Sequence, residues 1–220
     1  MVHILYGPDD FTLRQRLEEI KGTLGDRESL ALNTAVMDGR RLTPAPLIET
    51  CNTIPFLASW RLVVVEGLLE RFEPGATGKR PEVSEWQGLI EFLPNSPPTT
   101  ALAFIDGKLT KANPLLRKLG KLATVEDFPA LKGDGLQQWV RDRVAGQGAE
   151  ISERAVRALV ETAGDDLWVL ANEIEKLSLY AKGRRIDEAD VRQVTSCVRE
   201  ANIFAMVDAM AEKRLPVAMR

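Results

Sequence analysis

Histidine is nearly missing from this chain: His3 is the only one in 220 residues. Catalysis and zinc binding that depend on imidazole are therefore confined to one position. Cysteine is almost as scarce. Cys51 and Cys197 lie far apart, match no metal or redox spacing, and read as reduced thiols of a cytosolic protein. No apolar run is long enough to span a bilayer. Met1 leads straight into a strand-like run, so no secretory leader and no membrane partner are expected, and the expected location is cytoplasmic. A surplus of either charge is also missing, the formal net charge being −3. Residues 1–128 carry 15 basic and 17 acidic side chains and the remaining residues 14 and 15, so neither half is a basic nucleic-acid module. What is present is ordinary: 45% hydrophobic and 28% charged residues, the composition of a soluble globular chain of one or two domains.

The first half alternates. His3-Ile4-Leu5-Tyr6 predicts a short strand, and Gly7-Pro8 a turn. Asp9 or Asp10 caps a helix whose Leu13, Leu17, Ile20 and Leu24 share one face. Residues 33–38 predict a second strand, and Thr43-Pro44 opens a second helix with a cap and a first-turn proline. Residues 62–66 form a third strand, residues 72–81 a mobile loop rich in Gly, Pro and charge, and Val83, Trp86, Leu89, Ile90 and Leu93 one helix face. Residues 100–105 predict a fourth strand and 123–128 a fifth. Strands alternating with helices imply an α/β fold with a mostly parallel sheet covered on both faces.

After Pro129 the periodicity is helical only. Leu136, Trp139, Val140 and Val144 share a face, and Ser152 caps a helix carrying Val156, Leu159 and Val160. Leu167, Leu170, Ala171, Ile174 and Leu177 make the longest amphipathic stripe. The run Glu173-Ile174-Glu175-Lys176-Leu177 reads as helix packing with a solvated outer side. Asp187 caps a fourth helix, and a fifth starts near Asn202. Three regions are expected: an α/β domain at 1–128, a smaller all-helical lid at 129–198, and the start of a third helical region at 199–220.

One segment does not fit a simple core. Leu62-Val63-Val64-Val65 is a buried strand, but the preceding Ile54-Pro55-Phe56-Leu57-Ala58-Ser59-Trp60-Arg61 is not strand-like, since Pro55 cannot donate and Ala58-Ser59 tolerates a turn. Adjacent large side chains in such a turn rarely point the same way, so at least one of Phe56 and Leu57 is left without a place in the core. From the residues alone the pair either packs under the next helix, as most Phe and Leu do, or forms an exposed wedge for a partner's pocket.

A parallel α/β domain followed by a helical one is the layout of AAA+ proteins, which bind nucleotide after the first strand. A working phosphate loop there needs Gly-x4-Gly-Lys-Ser/Thr. This chain has Gly7-Pro8-Asp9-Asp10-Phe11-Thr12-Leu13-Arg14, without the second Gly and the Lys. The fourth strand ends in Ala103-Phe104-Ile105-Asp106-Gly107, a lone acid instead of paired carboxylates, and Trp168 stands about where many such lids place a nucleotide-sensing Arg. The expectation is an AAA+-shaped protein that does not hydrolyse ATP and needs no cofactor and no metal.

Several short motifs occur in a set order: Leu5-Tyr6-Gly7-x-Asp9-x-Phe11-x-Leu13-Arg14, then Pro55-Phe56-Leu57-Ala58-Ser59-x-Arg61-Leu62-Val63-Val64-Val65, then Asp106-Gly107-Lys108-Leu109-x-Lys111. Gly164-x-Asp166-Leu167-x3-Ala171-Asn172-Glu173-Ile174-Glu175-Lys176-Leu177 and Asn202-Ile203-Phe204 follow. In order and spacing the whole chain resembles the delta subunit of bacterial DNA polymerase III, the clamp-loader subunit that opens the ring-shaped sliding clamp during DNA replication. The resemblance implies a non-catalytic member of a nucleotidyltransferase complex. Its partners would be the sliding clamp (beta subunit), other clamp-loader subunits, and primed DNA through the assembled complex. It also reverses the balance at the wedge: Phe56 and Leu57 match the family's clamp-contacting pair, with Ile54, Pro55 and Trp60 as flanking residues. Family members continue into a third, collar domain, whereas this chain stops at Arg220, about one helix into it, and reads as a shortened chain. Lys108, Lys111, Arg117, Lys118 and Lys121 form either a solvated face or a patch for DNA phosphate or a partner. The alternative function is a nucleotide-binding AAA+ switch or ATPase of another replication or repair complex, which a retained phosphate loop would have favoured. A DNA-binding replication factor of the same shape would need a larger basic surface.

Overall fold

A computed structural model of the chain describes residues 1–75 and 81–195. These fall into two compact units, the second beginning at Leu131.

The first unit is a five-stranded sheet of β1 (Val2–Tyr6), β2 (Thr34–Asp38), β3 (Arg61–Glu66), β4 (Thr100–Asp106) and β5 (Thr124–Asp127), in the order β2-β3-β4-β1-β5 with every pair parallel. Parallel neighbours require crossovers, which α1 (Asp10–Leu24), α2 (Arg27–Leu32), α3 (Pro44–Asn52), α4 (Gln87–Phe92) and α5 (Pro114–Leu119) supply. The α/β class expected from the alternation is the one observed.

The strands divide their side chains between two cores. Ile4, Val63, Val65, Leu102 and Phe104 point to the face covered by α3, α4 and α5, while Leu5, Leu62, Val64, Ala103 and Ile105 point to the face covered by α1 and α2. Period-two alternation with both faces apolar explains why β3 and β4 read as continuous hydrophobic runs. Asp9 caps α1, its carboxylate accepting from the Thr12 amide at 2.9 Å, as its position before the apolar stripe predicts.

The expected loop at residues 72–81 needs correction at its start. Phe72 ends a 3₁₀ turn (Leu69–Phe72), is fully buried, and meets Trp86 edge-to-face with ring centroids 6.2 Å apart. Tertiary packing overrides the Gly- and Pro-rich composition just after it; residues 76–80 lie outside the described residues. The helix expected around Val83–Leu93 is broken into a 3₁₀ turn (Val83–Trp86), α4, and a second 3₁₀ turn (Leu93–Asn95) holding Pro94. The short α2 and α5 were not anticipated, because six residues are too few to show periodicity.

The second unit contains α6 (Gly133–Gly146), α7 (Glu153–Ala163), α8 (Leu167–Ala181) and α9 (Glu188–Val194). Their buried faces carry Leu136, Val140, Val156, Leu159, Leu170, Ile174, Leu177 and Val191. Ser152 caps α7, and Asp187 with Asp190 forms a capping box on α9. Arg184 grips Asp190 with two 2.6 Å hydrogen bonds, which hold that carboxyl down at about 2. Glu173 is buried and its Oε1 accepts from the Lys176 ammonium at 2.7 Å. The helix expected near Asn202, the region 199–220 and Cys197 lie outside the described residues.

Candidate partner-binding site

The amino end of β3 carries the wedge. Between α3 and β3 the chain forms no regular element, and there Ile54, Phe56 and Leu57 stand 85%, 68% and 86% exposed. Exposure of three large apolar side chains within four residues is the pattern of a contact surface.

The backbone beneath them is fixed. Asn33, at the end of α2 and only 1% exposed, accepts from the Phe56 amide through Oδ1 at 2.6 Å and donates through Nδ2 to the Phe56 carbonyl at 2.9 Å. The same Nδ2 donates to the Ser29 carbonyl at 2.8 Å, and the Asn33 carbonyl accepts from Leu62 at 3.0 Å. One buried amide thus joins α2, the wedge and the first residues of β3. The other flank is held by Arg61, whose guanidinium donates to the Thr50 carbonyl at 3.0 Å, and by the Thr100 hydroxyl, which donates to the Cys51 carbonyl at 2.8 Å. Leu57 has φ +51°, a left-handed conformation that costs a non-glycine residue about 1 kcal/mol or more.

The flanking residues differ in their surroundings. Ile54 is as exposed as the pair, Pro55 is half-buried, and Trp60 is half-buried against the core residues of the α1–α2 face. Sequence reasoning singled out the wedge but treated Asn33 only as the first residue of a strand. Its one signal was the residue type itself, an Asn just ahead of a strand, suited to helix C-caps and side-chain-to-backbone bonds.

The carboxyl end of the same sheet forms a cleft of about 480 Å³ lined by Gly7, Asp10, Arg14, Asp38, Arg40, Glu66, Glu70 and Asp106 among others. Open α/β sheets bind ligands at this edge. The turn after β1 is closely packed: Gly7 at φ +143° leaves no room for a Cβ against the Phe128 backbone, and its amide donates to the Gly107 carbonyl at 2.9 Å. Arg14 is engaged by Glu66 at 2.6 Å and Asp10 at 3.2 Å. Asp106 accepts from the Glu70 amide at 3.0 Å through Oδ1, and its buried Oδ2 has no hydrogen-bond partner. Burial, opposed by that amide bond and reinforced by the nearby Glu70 charge, pushes its carboxyl up to about 8.

Lys108, Lys111, Arg117, Lys118 and Lys121 are all exposed. The loop bearing the first two is fastened by Glu73, which accepts from the Thr110 amide and hydroxyl at 2.9 and 2.8 Å. Asn113 caps α5 through bonds from the Leu115 and Leu116 amides. Lys118 reaches the Gln87 side chain at 3.5 Å. Among the described residues no helix is long and apolar enough to cross a membrane, and no cluster of His, Cys, Asp or Glu is placed to hold a metal ion.

The chain is similar to known proteins along most of its length. Residues 3–128 match the family model for "DNA polymerase III, delta subunit", and residues 133–193 match a model described as a middle domain. DNA polymerase III subunit delta of Bacillus subtilis is 23% identical over 97% of this chain, which spans 62% of that relative's length. The solved Bacillus subtilis DNA clamp loader delta protein superposes with a TM-score of 0.73 at 22% identity, covering 99% of this chain and 65% of the other. A Thermotoga maritima RuvB variant gives a TM-score of 0.53 at 11% identity, over 96% of this chain and 69% of the other. At such identities the structures speak for the fold. The family match spans more than half of the residues, and on it the chain belongs to the DNA polymerase III delta subunit family.

Proposed function

We propose that this chain acts as a non-catalytic clamp-loader subunit that binds a ring-shaped sliding clamp through Phe56 and Leu57. The observation that carries this reading is the exposure of that pair on a backbone fixed to α2 and β3. Two exposed apolar anchors on a fixed backbone can enter a partner's pocket without first paying an ordering entropy. Ile54 extends the apolar surface, and half-buried Pro55 and Trp60 form its flank.

Ring opening follows if the wedge binds better when the adjacent ring interface is sprung. Binding then stabilises the open form by the difference between its affinities for the two states. ATP would act on other subunits of the loader and control when the wedge is free. The α/β unit at 1–128 would present the wedge, and the loader's other subunits would be met mainly through a C-terminal collar domain of the kind the family carries. The basic group from Lys108 to Lys121 would meet primed DNA or a partner in the assembled complex, since it is exposed on a fastened loop and a short helix.

The test is direct binding of the chain to a cognate sliding clamp, native against Phe56→Ala/Leu57→Ala. Loss of binding with an unchanged fold is expected. Undiminished binding by the double variant would refute the assignment.

A further inference from the structure

Clamp contact by the Phe56–Leu57 pair leaves open why the wedge holds its shape. We infer that Asn33 is a positioning residue for partner binding: its buried side chain presets the wedge in the binding-competent conformation before the partner arrives. This rests on the clamp-contact reading above and goes beyond it.

The geometry is specific. The Asn33 amide offers one donor and one acceptor to the two backbone groups of a single residue, Phe56, at 2.9 and 2.6 Å. That pairing copies the exchange between two strands and restricts both peptide planes around Phe56. The next residue, Leu57, sits at φ +51°, a conformation that few non-glycine residues adopt. Such a conformation persists where its surroundings over-determine it. Proline at 55 limits the chain from the other side. Asn33 cannot drift, because its own backbone is engaged on both sides, its amide by the Leu30 carbonyl and its carbonyl by Leu62, and its Nδ2 is also bound to Ser29. No other side chain makes this two-point contact with the wedge backbone among the described residues.

Without Asn33 the side chains of Phe56 and Leu57 remain, but their relative direction is no longer set. Apparent affinity then falls by the fraction of time the competent conformation is populated.

Two measurements decide. On the unaltered free chain, hydrogen exchange at the Phe56 amide should be markedly slower than in unstructured peptide, since its donor is held by a buried acceptor. Exchange at the unprotected rate would overturn the proposal, and this measurement needs no variant to fold. Binding to a sliding clamp is then compared for the native chain, Asn33→Ala, Leu57→Ala, Asn33→Ala/Leu57→Ala and Phe56→Ala/Leu57→Ala. Asn33→Ala, checked as folded at the assay temperature, should weaken binding about tenfold, as expected if the competent conformation falls to roughly a tenth of the population. In that background Leu57→Ala should lose a much smaller factor than in the native chain, because a wedge already out of position has little left to lose. Equal losses in both backgrounds, or native binding by folded Asn33→Ala, would overturn the role of Asn33 alone. Native binding by Phe56→Ala/Leu57→Ala would overturn the clamp-contact reading and this inference with it.

Discussion

Strand β3 joins two sites of opposite character. At its amino end the wedge exposes apolar side chains on a pinned backbone; at its carboxyl end Glu66 lines a charged cleft and pairs with Arg14 across it. In both places main-chain geometry is fixed by buried polar contacts, Asn33 to Phe56 at one end and Gly7 to Gly107 at the other. What differs is what is left over. The wedge leaves surface that water does not satisfy, whereas in the cleft Arg14 is already occupied by Glu66 and Asp10. One strand can thus end in a charged, internally paired cleft on one side of the sheet and in exposed apolar side chains on the other.

The largest effect that would break this contrast is at the wedge. Phe56→Ala/Leu57→Ala should weaken clamp binding by two orders of magnitude or more, at about 2 kcal/mol per anchor. The unfolding midpoint should hardly move, since both side chains are exposed. Phe72→Ala serves as the reference, because loss of that buried ring should cost about 3–5 kcal/mol in stability. A midpoint shift in the wedge variant as large as that of Phe72→Ala, measured by denaturant titration, would erase the distinction.

At the cleft, Gly7→Ala should destabilise the first unit by about 1–3 kcal/mol. Its φ of +143° is strained for an L side chain and its Cβ would meet the Phe128 carbonyl. A neutral outcome in the same titration would mean that the close approach does not hold this edge together.

A smaller effect concerns pH. Burial raises the Asp106 carboxyl to about 8, so the folded chain holds a proton there that the unfolded chain releases near its ordinary pKa of about 4. Its contribution to stability is present below about pH 4 and is lost as pH rises through about 8. Asp106→Asn should flatten the decline of the unfolding midpoint across that window. A decline as steep as in the native chain would show that Asp106 is not the titrating group.

The smallest expected signal is none. Titration with magnesium-ATP should give no saturable heat in the micromolar range, because Lys is missing from the Gly7–Arg14 segment and Arg14 is committed to carboxylates. A one-site isotherm would restore the cleft to a nucleotide site and reverse the comparison.

Local pattern alone determined a good part of this protein. Strands β1, β3 and β4, the caps at Asp9 and Ser152 and the change from alternating to all-helical periodicity follow from apolar spacing and short-range hydrogen-bonding preferences, which act over a few residues. Local pattern singled out the Phe56–Leu57 pair as two large apolar residues in a turn but left core packing and an exposed wedge both open; the fold leaves both side chains exposed. Tertiary structure alone decided the rest. It put Phe72 in the core against Trp86 despite a loop-like neighbourhood, and it split the helix expected at Val83–Leu93 into turns. It turned Asn33 from a strand residue into the clamp on Phe56, and it raised Asp106 by burying it. The physical reason is distance in sequence: Asn33 and Phe56 are 23 residues apart and Asp106 and the Glu70 amide 36, so contacts that no local pattern encodes exist only once the parallel sheet brings its strand ends together.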